Sequence, residues 1–303
     1  MGSVLGLALG DALGAPFEFR RAHQIPSPLP AFEREWMGMP PGTWTDDTAM
    51  ARNLWRSLIA RGVFDPGDVV RRHLEWLATL PPDVGNQTRL ALTEAARGTP
   101  DPAQVVFERR GPEVSAGNGS VMYCAPLGVA YANRPQELVR LAPALSSITH
   151  WDGRCGTACL AVTLAAAALV RGEDATRAVV DAVRVCEGRE GAEELEHLVE
   201  QAGRTRPVDG PDMGFTLFAA GLGLRIAAEA PSFADGLLSV VALGGDTDTN
   251  AAVAGALVGA RDGRDALPQA WLLRLADREA IEREAEELAD LAERGPGPTP
   301  EAP

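Results

Sequence analysis

An all-α domain is the fold class this sequence predicts, and three observations carry it. Ala and Leu supply much of a hydrophobic content of 46%, against only 5% aromatic residues, a balance that favours helices over sheets. Apolar residues recur at three- and four-residue spacing along most of the chain. No stretch alternates apolar and polar residues for long enough to make a convincing strand. The 303 residues suffice for one large domain or two modest ones. No internal repeat and no linker is visible. The expectation is therefore one domain over residues 1–293 and a disordered tail, 294–303, ending in GPGPTPEAP.

The first helix is read from Val4, Leu5, Ala8, Leu9, Ala12 and Leu13. Gly6, Gly10 and Gly14 lie four apart on it, a spacing that lets another helix backbone approach closely. Glu18 follows. Residues 20–43 contain Pro26, Pro28, Pro30, Pro40 and Pro41 and form a long irregular loop of a kind often tied to function. That loop ends at Thr45-Asp46-Asp47-Thr48, which places it at the rim of whatever site the cluster makes. From Thr45 a helix runs to about Ala60, stopped by Gly62, and Asp65-Pro66 opens another that reaches Leu80. The turn PPDVGNQT, Pro81 to Thr88, presents Asp83 and Asn86; a turn aspartate and a helix cap explain them as well as a function does. Helices follow to Arg97 and over Ala103–Arg109.

In SAGNGSVM, Ser115 to Met122, small residues around Asn118 and Gly119 can expose backbone N–H groups at a helix start, which suits an anion. Most such runs are simply turns. Helices are expected over Asn118–Ala132, Pro135–Ser147 and Arg154–Val170. His150 lies between the last two, where a structural role and a functional one both fit. Residues 173–188 and 190–204 read as amphipathic helices, Met213 opens a long apolar one, and Ser232–Leu243 is another. The last helices, about 268–293, alternate Glu and Arg and suit an exposed face.

The net charge is −14, and all 28 basic residues are Arg. An acidic chain without a basic run is a poor general nucleic-acid binder. Cys124, Cys155, Cys159 and Cys186 are too few and too scattered for a disulfide framework, and no second Cys/His pair completes a zinc site with Cys155 and Cys159. They read as buried thiols in a reducing compartment. The apolar N-terminus lacks a basic n-region and is interrupted by Asp11, and no run of about 18 apolar residues is free of charge. The expectation is a cytoplasmic protein with no membrane segment.

The chemistry concentrates in GGDTDTN, Gly244 to Asn250. Asp246 and Asp248 sit two residues apart, with hydroxyls at Thr247 and Thr249, and an alanine-rich helix follows. Asp and Thr are ordinary helix N-caps. One cap needs one side chain, however, and here Asp46 and Asp47 are adjacent while Asp246 and Asp248 crowd one helix start. Like charges that close repel unless a cation or strong donors compensate. Dense carboxylates and hydroxyls are hard ligands that suit Mg²⁺, Mn²⁺ or Ca²⁺ rather than zinc.

These pieces, GDALGAPFE, TDDT, PPDVGNQT, GNGSVM, Thr149-His150 and GGDTDTN, match in order the motifs of the ADP-ribosylglycohydrolase family, which the sequence resembles over residues 10–250. The resemblance implies an orthogonal helical bundle with a binuclear Mg²⁺ or Mn²⁺ site. It implies cleavage of the bond between ADP-ribose and an acceptor, either a protein side chain such as arginine or serine or a small molecule, with release of ADP-ribose. By the same resemblance Thr45, Asp46, Asp47, Asp246, Asp248 and Thr249 are metal ligands. Glu18 and Asp83 are the catalytic candidates, with their roles undivided. Asn86, Ser115, Gly117, Asn118, Gly119 and His150 contact the substrate. This chain departs from relatives at Tyr123, where many carry Arg, and at Ala116, where some carry an aromatic. Adenine stacking then falls to Phe215 or Tyr123. Those departures leave a non-catalytic ADP-ribose-binding protein on the same scaffold as the alternative.

Overall fold

The protein is described by a computed structural model covering residues 1–297. Among the described residues the α-helices run, in order, α1 Gly2–Gly14, α2 Asp46–Arg61, α3 Pro66–Leu77, α4 Asn86–Ala96, α5 Pro102–Arg110, α6 Ala125–Ala130, α7 Pro135–Ser146 and α8 Gly153–Val170. They continue with α9 Ala175–Val185, α10 Ala192–Gln201, α11 Thr216–Glu229, α12 Phe233–Val241, α13 Thr247–Asp262, α14 Gln269–Leu272 and α15 Arg278–Arg294. The only sheet among these residues pairs β1, Arg20–Arg21, antiparallel with β2, Gly244–Gly245. The predicted all-α class is what the chain adopts.

The centre of the molecule is the contact between α1 and α13. Every residue of α1 is buried, and so is α13 from Thr247 to Ala260. The helices run antiparallel with their backbones touching. A Cβ added at Gly2, Gly6, Gly10 or Gly14 would fall 2.1, 2.1, 1.9 or 2.3 Å from the carbonyl oxygens of Gly259, Gly255, Ala251 and Thr247. No side chain fits there, so the four-residue glycine spacing is a packing requirement. The Thr247 hydroxyl donates to the Gly14 carbonyl at 2.8 Å. This contact sets the start of α13 beside the end of α1, and Gly244 to Thr249 therefore lies next to the segment that leads to Glu18.

Helix α8, Gly153–Val170, is long and apolar enough to cross a membrane, yet 78% of it is buried inside this fold. It packs against α6, α7, α9, α11 and α13 as a core helix.

Several expected boundaries differ. Helix α3 stops at Leu77 instead of Leu80; Pro81 disfavours helical geometry at the residue before it, and Leu80 turns to φ +58°. The helix expected over Asn118–Ala132 shrinks to α6. Residues 118–123 form a bend and turns, the Asn118 N–H donating to the Gly214 carbonyl, and Pro126 marks the helix start. The tail does not begin at 294. Arg294 ends α15, Pro296 is buried, and the Gly297 N–H donates to the Gly62 carbonyl. Residues 298–303, the rest of the expected disordered tail, lie outside the described residues.

Candidate metal centre

Two helix starts and two loops meet at the α1–α13 contact. Asp11, on α1, aims its carboxylate at the first turn of α2. It accepts from the Thr45 N–H at 3.0 Å, from the Thr48 N–H at 2.9 Å and from the Thr48 hydroxyl. An aspartate from another helix thus caps α2 and satisfies amides that a helix start leaves open. Thr45 and Asp47 bond each other, the Thr45 hydroxyl reaching Asp47 Oδ2 at 3.1 Å. The Glu18 segment is tied down by β1–β2 and by the Phe19 N–H donating to Gly245. Gly244 and Gly245 have φ of +69° and +80°, and a Cβ at either would strike the backbone of Arg20 or Val208 within 2.5 Å. Glycine is therefore required at both.

Glu18, Asp46, Asp47, Asp83, Asp246, Asp248 and Thr249 line one cavity of about 500 Å³. Asp46 and Asp246, from opposite ends of the chain, share its wall. One oxygen each from Asp11, Asp47 and Asp248 lies within 4.8 Å of the others, and the same holds for Glu18, Asp83 and Asp248. Asp248 belongs to both groups.

Burial and mutual repulsion disfavour the charged form of these carboxylates. Burial first, and then the charge of Asp246, pushes Glu18 up to about 9. Burial and Asp83 push Asp46 up to about 8. Asp47 and Asp248 are driven well above the carboxylate range by burial, then by Asp11 and Glu18 respectively. Asp83 is raised by burial and Asp246. Arg89 opposes the rise at Asp83, and Asp47 Oδ1 is buried with no hydrogen-bond partner. Hard oxygen donors, unpaired and convergent, fit divalent cations of the Mg²⁺ or Mn²⁺ class.

The remaining expected residues divide. Asn86, Gly117, Asn118, Gly119 and His150 all face the cavity. Asn118 does more than line it: its Nδ2 donates to Asp246 Oδ2 at 2.9 Å. Its backbone N–H is spent on Gly214 and so is not free to hold an anion, contrary to what the sequence led one to expect. His150 is buried beside Gly119, and burial lowers it to about 4, which keeps the ring neutral. Ser115 does not reach the cavity. Its hydroxyl turns inward and donates to the Gly111 carbonyl at 2.6 Å, bracing the loop. Tyr123 is fully buried, edge-on to His73, so it offers no face to a ligand. Phe215 sits in an adjoining cleft with the Arg154 guanidinium 5.7 Å from its ring.

Two residues were missed. Asp11 reads in sequence as a polar break in an apolar helix. Arg110, the cavity's basic wall residue, donates to Gln87 Oε1 at 3.2 Å, and nothing in its local sequence marks it out.

The family model described as ADP-ribosylglycohydrolase matches residues 1–298. The chain is 32% identical over 299 residues to the ADP-ribosyl-[dinitrogen reductase] glycohydrolase of Rhodospirillum rubrum, covering 96% of each. It is 27% identical over 316 residues to the ADP-ribosylarginine hydrolase Tri1 of Pseudomonas putida, covering 96% of this chain and 78% of that one. Among solved structures it is similar to an ADP-ribosylglycohydrolase-related protein complex, with a TM-score of 0.80, 35% identity and 96% of each chain covered.

Proposed function

The chain belongs to the ADP-ribosylglycohydrolase family, a family of ADP-ribosyl hydrolases, and from that premise we propose that it is a metal-dependent enzyme cutting the bond between the distal ribose of ADP-ribose and an acceptor. The acceptor is a protein side chain such as arginine or serine, or a small molecule, and ADP-ribose is the product. The observation that carries this reading is the buried, unpaired carboxylate cluster built from α1, α2, α13 and two loops around one cavity.

A pair of Mg²⁺ or Mn²⁺ ions would be held by Thr45, Asp46, Asp47, Asp246, Asp248 and Thr249. Bound there, they would supply Lewis-acid orientation of ribose hydroxyls and a water of lowered pKa. The chain's own groups do the rest. Glu18 and Asp83, held high by burial and neighbouring charge, are placed to handle protons. One donates to the departing acceptor nitrogen or oxygen as its bond to the anomeric carbon breaks. The other takes a proton from the incoming water, whose oxygen forms the new bond. Asn118 orients Asp246. The Gly119 amide and Arg110 give the diphosphate hydrogen-bond donors. Phe215 offers a ring face to adenine.

The alternative of a non-catalytic ADP-ribose binder draws on Tyr123 and Ala116. Tyr123 is sealed in the core, so that departure does not touch the cavity. The test is ADP-ribose release from arginine- and serine-modified peptides, followed by mass spectrometry, with Mg²⁺, Mn²⁺ or EDTA. Release that requires the cation is expected. Tight ADP-ribose binding without turnover would favour the binder, and turnover undiminished in EDTA would remove the metals from the account.

A further inference from the structure

Helices α9 and α10 supply no residue to the central cavity, yet they line a groove of about 500 Å³ of their own. Val179, Val180, Val183 and Val199 give it an apolar floor. Glu187, Glu193, Glu196 and Glu200 stand around that floor, with Arg184 as the one basic residue. Arg184 turns to Asp181 of its own helix, 3.1 Å away. Among the described residues the four glutamates have no ion pair. Glu194, which lines the Phe215 cleft instead, does have one, to Arg206 at 3.1 Å.

This lining does not serve the fold. Val180 is 47% exposed, and an exposed valine is a poorer helix former than alanine or leucine. Glu193, Glu196 and Glu200 are spaced three and four residues apart, so they share one face of α10 and repel one another. The helix dipole favours Glu193 in the first turn of α10 but opposes Glu200 in the last. Glu187, just after α9, adds a fourth charge to the same groove. Apolar floor and uncompensated charge both cost stability in the isolated chain, and a cationic, apolar partner would offset both.

We propose that the α9–α10 groove is a docking site for a cationic amphipathic helix of another protein. The apolar stripe of such a helix would lie on the valines, and the arginines or lysines beside the stripe would meet the glutamates. Helices of 11 and 10 residues give a groove about 15 Å long, room for two to three turns. Charge selects the occupant. Four uncompensated carboxylates repel nucleic acid and anionic lipid surfaces, and a metal ion alone would leave the valines uncovered. The end of this chain, PTPEAP over residues 298–303, has no basic residue to offer. The proposal does not depend on the reaction at the carboxylate centre.

The test is fluorescence anisotropy with the full-length protein at about 0.15 M salt, where long-range attraction is screened. The probe is a labelled helical peptide of about 14 residues, with leucines at i, i+4, i+7 and i+11 and arginines beside them. A second peptide carries glutamates in place of the arginines, and a third scatters the same leucines around the helix. Saturable binding of the first is expected in the micromolar range, at least tenfold tighter than either control. Glu196→Arg with Glu200→Arg should weaken it at least tenfold and gain binding of the glutamate peptide, a gain that a misfolded variant cannot show. Val180→Gln, which removes apolar surface and no charge, should weaken it at least threefold. Glu286→Arg with Glu287→Arg, exposed on α15 and equal in charge change, should leave it within twofold. No saturation, equal binding of the scattered peptide, or equal weakening by the α15 pair overturns the proposal, because charge alone would then account for the binding. So does wild-type dimerisation in sedimentation that Val180→Gln abolishes, which assigns the groove to a second copy.

Discussion

Asp11 and Asp248 are both buried carboxylates, and they are buried for different reasons. Asp11 is satisfied by donors from Thr45 and Thr48. Replacing it by alanine strands amides of the first turn of α2, so Asp11→Ala is expected to cost about 2–4 kcal/mol of stability in urea titrations. Asp248 accepts from the adjacent Thr249 N–H and faces Glu18, Asp246 and Asp47. Removing its charge relieves repulsion but deletes a ligand. Asp248→Asn should therefore raise the melting temperature in EDTA, while calorimetric Mn²⁺ affinity falls by about tenfold or more. A variant that melts lower in EDTA would show that Asp248 is held by the fold and not by a cation.

At the level of elements, the site depends on how closely α1 and α13 approach. Gly6→Ala would push a methyl group against the Gly255 carbonyl at 2.1 Å. Neither backbone has a side chain to move aside, so destabilisation above about 3 kcal/mol is expected by chemical denaturation, more than ordinary core overpacking costs. Because Asp11 and Asp248 sit on these same helices, cation affinity should fall with it. This contact was legible in the sequence, since glycines four apart on an apolar helix have few other uses. So was the carboxylate cluster, because its charge density exceeds what caps need. Other features were not legible, and each for a tertiary reason. The loop before α6 is tied by Asn118 to Gly214, nearly a hundred residues away. Ser115 turned inward onto Gly111, which residue type alone cannot reveal. Trp36, Trp44 and Trp76 share a chamber only because three separate segments converge.

For the whole molecule the governing fact is an acidic protein, net −14, that concentrates carboxylates in its interior. Without cations the folded state holds protons that the unfolded chain would release. Asp11 is raised to about 6 by burial, Asp46 to about 8 and Glu18 to about 9, whereas unfolded carboxyls titrate near about 4. The folded pKa values lie above the unfolded ones, so the contribution of these groups is fully present below pH about 4 and is lost as pH rises through about 6 to 9. The melting temperature in EDTA is expected to drop across that window. Cations compete with these protons, so saturating Mn²⁺ should flatten the profile, and its apparent affinity should rise with pH over the same range. Melts from pH 5 to 9, with EDTA and with Mn²⁺, measure both effects. A profile in EDTA as flat as that with Mn²⁺ would mean that the carboxylates are already neutralised within the protein, and the case for a cation pair at the junction of α1, α2 and α13 would lose its electrostatic basis.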